Sequence, residues 1–148
     1  MEMEIRGSTV EVSGYVNAVG RESRPMHDGE GYFTEVMEPG VFARALERGG
    51  GRPMLLNHDP ARVLATEGDG LSLREDSVGL FARATVSDEE VAEAARKGEL
   101  RGWSFGFRPI AQRCEERDGM RRRTVLELDL CEVSLIDRRK LPAYAATS

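Results

Sequence analysis

Sixteen glycines cut the chain into short segments, and inside those segments apolar residues recur at every second position. This combination constrains the fold more than any other feature. Period-two alternation lays one strand face on a core, and glycine-marked turns reverse the chain every few residues. Residues 9–19 carry Val10, Val12 and Val16, with Gly14 marking a bend or bulge. Residues 54–58 form a short apolar strand stopped by Asp59-Pro60. Residues 63–67, 71–75 and 80–86 read as a meander joined by Gly68-Asp69-Gly70 and Asp76-Ser77-Val78-Gly79. Residues 105–114 and 123–136 form two more strands around an Asp118-Gly119 turn, which sets Cys114 opposite position 123.

Two segments keep helical spacing instead. Pro39 falls at a first helical position, and Val41, Phe42, Ala45 and Leu46 make one stripe before Gly49-Gly50-Gly51. Ser87-Asp88-Glu89-Glu90 predicts a capping box, with the helix running through Val91 and Ala95 to Gly98. Many strands with two short surface helices predict an α+β fold, mainly an antiparallel β-barrel. No linker or repeat divides the chain, so residues 1–148 read as one domain.

A net charge of −5 gives no reason to expect nucleic acid, and Arg121-Arg122-Arg123 reads as a solvated strand end. The acidic start Met1-Glu2-Met3-Glu4 lacks the pattern of a signal peptide, and no apolar run has the length of a membrane span. A cytosolic protein is expected. Cys114 and Cys131 read as free, partly buried thiols of a reducing compartment.

The two histidines, His27 and His58, are too few for a structural zinc site with these cysteines, so no metal is expected. His27 lies in a polar stretch and reads as a solvated loop residue. His58 ends an apolar strand, where a side chain can project over a rim or simply be satisfied by neighbours. Ser104 lies in Gly102-Trp103-Ser104-Phe105-Gly106-Phe107, which matches the letters of a nucleophile elbow. Arg108-Pro109 and the alternation beyond argue for a strand, and no histidine follows Ser104, so the elbow reading fails. The flanking glycines still allow close backbone approach, with Trp103, Phe105 and Phe107 available to exclude water. A filler serine on an aromatic core strand fits the same spacing. Counting by two, Leu126, Leu128, Leu130, Glu132, Ser134 and Ile136 share a face. Glu132 then needs a partner, an imidazolium or an arginine. Asp129 falls with Glu127 on the other face, and Asp137 at the strand end.

As an ordered set, several motifs resemble the prohead proteases of tailed phages of the HK97 type. They are Gly14-Tyr15, Glu38-Pro39-Gly40-Val41-Phe42, Leu56-Asn57-His58-Asp59-Pro60, Gly98 ahead of Gly102-Trp103-Ser104-Phe105-Gly106-Phe107, Leu130-Cys131-Glu132-Val133-Ser134, and Pro142-Ala143-Tyr144. That family is similar to the herpesvirus assemblins, which have a barrel ringed by helices and a Ser-His-His triad. The resemblance implies Ser104 as nucleophile, His58 as base and Glu132 in the third place. Arg138-Arg139 matches, by the same likeness, an arginine pair associated with oxyanion stabilisation.

By that resemblance the chain is expected to be a serine endopeptidase without a cofactor. Its implied substrates are the scaffolding region of the major capsid protein and the protease itself, cut inside the immature capsid in the host cytoplasm. Self-association is implied by the assemblins, and neither nucleic acid nor membrane is an expected partner. The alternative is a non-catalytic capsid-assembly or scaffold module on the same fold.

Overall fold

The computed structural model describes residues 1–140, so the Pro142-Ala143-Tyr144 motif lies outside the described residues. The elements in chain order are β1 (Glu2–Arg6), β2 (Thr9–Ala18), β3 (Met26–Asp28), β4 (Gly31–Met37), α1 (Val41–Leu46), β5 (Pro53–Leu56) and β6 (Asp59–Glu67). They continue with β7 (Gly70–Glu75), β8 (Gly79–Ser87), α2 (Glu89–Arg96), β9 (Leu100–Arg117) and β10 (Met120–Asp137).

All strands join one sheet in the order β1-β2-β8-β7-β6-β5-β10-β4-β3, with β9 also paired to β10. The expected mainly antiparallel architecture is met in part: six of the nine strand pairings are antiparallel. Among the described residues no strand pairing links β9 to β1 or β2, and the strands form one large mixed sheet. Three of its pairings are parallel: β10 with β4, β10 with β5, and β6 with β7. The first two have a clear cause. The crossover through α1 brings β5 back in the direction of β4, and parallel neighbours need such a connection.

β9 accompanies β10 along its length, so β4 and β5 must share the other edge of β10. β4 pairs residues 121–125 and β5 pairs residues 133–135. Between them this edge has no strand partner, and arginines take its place. Arg44 donates to Leu126 O at 2.9 Å, Arg48 to Leu128 O, and Arg52 Nε to Leu130 O at 3.0 Å. Every second carbonyl of a strand points to the same edge, and every fourth residue of the α1 segment meets one. Buried Arg52 also caps the end of that segment through Ala45 O and Arg48 O and pairs with Glu67 at 2.8 Å.

The core gathers Val10, Val12 and Val16 of β2, Phe42 of α1, Leu80 of β8 and Trp103 of β9. Its β10 members are Val125, Leu128, Leu130, Val133 and Leu135, and their parity changes twice. The register shifts at Val125/Glu127 and Leu130/Glu132 cause this, since each inserts one residue into β10 and swaps the faces beyond it. Simple counting by two therefore fails along β10.

Helix starts also differ from expectation. The cap of α2 is Asp88, whose carboxylate accepts from Val91 N at 3.0 Å, while Ser87 ends β8. Pro39 lies outside α1, whose first amides are bound from a distance. Glu75 of β7 accepts from Gly40 N, Phe42 N and Ala43 N at 2.6–3.0 Å. Both cysteines are exposed rather than partly buried. Cys114 does pair across from Arg123. No helix among the described residues is long and apolar enough to cross a membrane.

Candidate active site

β5 does not run on through His58. It closes with β6 in a two-residue hairpin, Leu56 facing Asp59, with Asn57 and His58 as the central pair at φ 53° and 62°. Two positive-φ residues suit the right-handed twist of the flanking strands, and Asn favours the first position. The second usually goes to glycine. Here it is a histidine.

The turn is sewn to the end of β10. Asn57 N donates to Leu135 O at 2.8 Å, and Asn57 Oδ1 accepts from Asp137 N at 3.1 Å. His58 N donates to Ser134 Oγ at 3.1 Å. The imidazole Nδ1 lies 2.5 Å from Glu132 Oε1, and the second oxygen, Oε2, accepts from Ser134 Oγ at 2.7 Å. A carboxylate only accepts, so Nδ1 carries the proton and Nε2 is left with its lone pair. His58 remains about one third exposed while Glu132 is 14% exposed, so solvent reaches the ring more than the carboxylate.

Glu132 reaches this place by a different route from the one its spacing predicts. The shift between Leu130 and Glu132 turns Glu132 and Ser134 away from the core leucines, while Val133 and Leu135 continue the core. The carboxylate is on the opposite face, and the imidazole is its partner there.

On β9, Ser104 is directly opposite Ser134, and Gly106 opposite Glu132. Cross-strand partners point to the same face, with Cβ atoms roughly 4.5–5.5 Å apart. Ser104 is thus on the face that holds the imidazole and carboxylate. Among the described residues no hydrogen bond joins Ser104 Oγ to His58, and catalytic hydrogen bonds often tighten only once substrate is bound. Gly106 has a definite reason to be glycine. A Cβ there would lie 2.7 Å from Glu132 Oε1. Trp103 and Phe105 face the core, opposite Val133 and Leu135, so they anchor the strand from behind rather than screen Ser104 from water.

Arg138 and Arg139 follow β10 directly, and both are engaged with acids. Arg138 Nε pairs with Glu99 at 2.5 Å. Arg139 forks onto Asp137 at 2.6–3.1 Å, and its amide donates to Asp137 Oδ1 at 2.9 Å. The Arg139 guanidinium lowers the Asp137 carboxyl to about 2, against the opposing effect of burial, with help from the Arg139 amide and Asn57. The Arg139 amide is thus committed, while the Arg138 amide makes no hydrogen bond among the described residues.

The other candidates separate cleanly. His27 is exposed on β3, with its ring edge-on to Tyr32. Asp129 is half-exposed and pairs with Arg108 and Arg48. Among the described residues no group of three or more His, Cys, Asp or Glu side chains is arranged to hold a metal ion. Sequence reasoning missed Ser134 and Asn57 as neighbours of the base. Leu-Asn-His-Asp was a readable cue for the turn, since Asn tolerates positive φ.

A family model described as Caudovirus prohead serine protease matches residues 1–148. No curated protein matches the chain.

Proposed function

The chain belongs to the caudovirus prohead serine protease family, and from that premise we propose that it cleaves peptide bonds with Ser104 as nucleophile, His58 as base and Glu132 as the group that orients the base. His58 Nε2 takes the Ser104 proton as Oγ attacks the scissile carbonyl, and the imidazolium returns it to the leaving amine. Water then attacks the acyl-enzyme by the reverse relay. Glu132 fixes the tautomer and offsets the positive charge on the ring. The Arg138 amide is the donor proposed for the tetrahedral oxyanion, a contribution of about 3–4 kcal/mol for one such donor.

One observation carries this reading: His58 Nδ1 on Glu132 Oε1 at 2.5 Å, on the face where Ser104 stands across from Ser134. Capsid maturation is the family's task. The proposed substrates are the scaffolding region of the major capsid protein and the protease's own chain, cut within the prohead in the host cytoplasm by a self-associated enzyme. The reading also treats residues 1–148 as one barrel-like domain with its seam between β2 and β9. Close packing of Trp103 on Gly14 supports that seam.

The test is a fluorophosphonate probe together with co-expressed capsid precursor. The probe should label wild-type protein at Ser104 and fail on Ser104→Ala and His58→Ala, and neither variant should process the precursor. Normal processing by Ser104→Ala would return the protein to the class of non-catalytic assembly modules.

A further inference from the structure

A fully buried hydroxyl costs stability unless its hydrogen-bonding capacity is used, so what it bonds indicates what it is for. Ser134 is 0% exposed, on β10 between Leu55 of β5 and Ser104 of β9. Its hydroxyl has one proton to give and two lone pairs. The proton goes to Glu132 Oε2 at 2.7 Å, since a carboxylate cannot donate. A lone pair receives the His58 amide at 3.1 Å.

That amide has no partner within its own turn. A two-residue hairpin joins the carbonyl before the central pair to the amide after it, which leaves the second central N–H to find an acceptor elsewhere. Ser134 provides one. Glu132, for its part, has an oxygen on each partner, Oε1 on His58 Nδ1 and Oε2 on Ser134. Both ends of the carboxylate are thereby held.

We infer that Ser134 is a positioning residue for the triad: one hydroxyl holds the main chain of His58 and the carboxylate of Glu132 in mutual register. The inference rests on the serine-protease reading above. The hydroxyl is closed off from solvent, so it acts through His58 and Glu132 and touches no substrate. The bulge before Glu132 is what makes the arrangement possible. It puts residues 132 and 134 together on the face away from the core, where the Asn57-His58 turn comes down on β10.

Ser134→Ala removes both bonds, and with them a longer contact to His58 Nδ1 at 3.4 Å, with the smallest change in volume. A misplaced catalytic group costs up to about 100-fold in rate, and the expected result is a kcat lower by about 10- to 100-fold with KM within twofold. A second readout reports on the pair itself. The His58 Nδ1–H proton, bonded to a carboxylate, should resonate far downfield in wild-type protein and should move or broaden away in Ser134→Ala. Urea unfolding accompanies both measurements. A kcat within twofold of wild type, with Ser104→Ala and His58→Ala inactive, would overturn the inference and leave the protease reading standing. A lower urea midpoint with an unmoved imidazole proton would also overturn it, since Ser134 would then serve the fold alone. If Ser104→Ala stayed active the protease reading would fail, and the imidazole proton would still report whether Ser134 holds the His58–Glu132 pair.

Discussion

His58 occupies a left-handed backbone position, which costs a residue with a side chain roughly 1–2 kcal/mol and glycine almost nothing. Backbone strain of this kind persists where a side chain is needed at that point, and here the imidazole meets Glu132 only from this turn. A comparison of two inactive variants isolates the cost. His58→Ala and His58→Gly both lose the imidazole, but only glycine relieves the backbone. His58→Gly should exceed His58→Ala by about 1 kcal/mol in urea unfolding, with both devoid of protease activity. Equal midpoints would mean that the turn is not left-handed in solution. The site residues were only partly legible in sequence. Asn57-His58-Asp59 and the glycine-flanked Ser104 mark themselves by local chemistry. Ser134 does not, because its partners are a side chain two residues back and an amide 76 residues away, brought together by β-sheet register.

At the scale of elements, legibility followed exposure. β2 and β8 each keep one face on the core and alternate, so period two finds them. β4 reads Tyr32-Phe33-Thr34-Glu35-Val36-Met37 without alternation, because its last five residues are all buried. A strand covered on both faces loses the pattern that identifies it. Glu35 disguises it further, as its buried carboxylate is paired with Arg123 at 2.9 Å. Along β10 the bulges hid the true facing of Glu132, and what holds the strand there is the arginine series. Arg52 is its buried member, donating to Leu130 O beside the bulge. Removing it takes a donor from that carbonyl, from Ala45 O and from Arg48 O, and leaves Glu67 without its charged partner. Arg52→Met should therefore cost about 3–5 kcal/mol, while Arg48→Ala, at a half-exposed position, should cost only about 1. Lysine at 52 should rescue little, since it lacks the planar fork. Urea midpoints measure all three, and an Arg52→Met loss no larger than that of Arg48→Ala would remove the series from any account of this edge.

The whole molecule carries many surface ion pairs, and most contribute little because water and salt screen them. The Asp137–Arg139 pair, like those of Glu67 and Glu35, has a more buried member. The Asp137 side chain is 8% exposed, the residue closes β10, and its forked bond to Arg139 joins the end of that strand to the loop beyond, next to the turn that holds His58. Its carboxyl titrates at about 2, against 3.8 ordinarily, chiefly because of the Arg139 guanidinium. As pH falls below about 4 the unfolded chain takes up this proton before the folded one does, so stability declines with falling pH. The contribution is about 2 kcal/mol, fully present above the ordinary carboxyl range and gone once the folded group protonates near 2. Asp137→Asn keeps the shape and removes the charge. The variant should be less stable than wild type by about that amount at pH 7. The two curves of stability against pH should converge as pH falls from about 4 to 2. Its kcat at pH 7 should stay within a few-fold of wild type, because Asp137 bonds the backbone of this junction and not the imidazole. Urea unfolding at a series of pH values decides the matter: curves that stay parallel down to pH 2 would mean that the Asp137–Arg139 fork contributes nothing to acid stability.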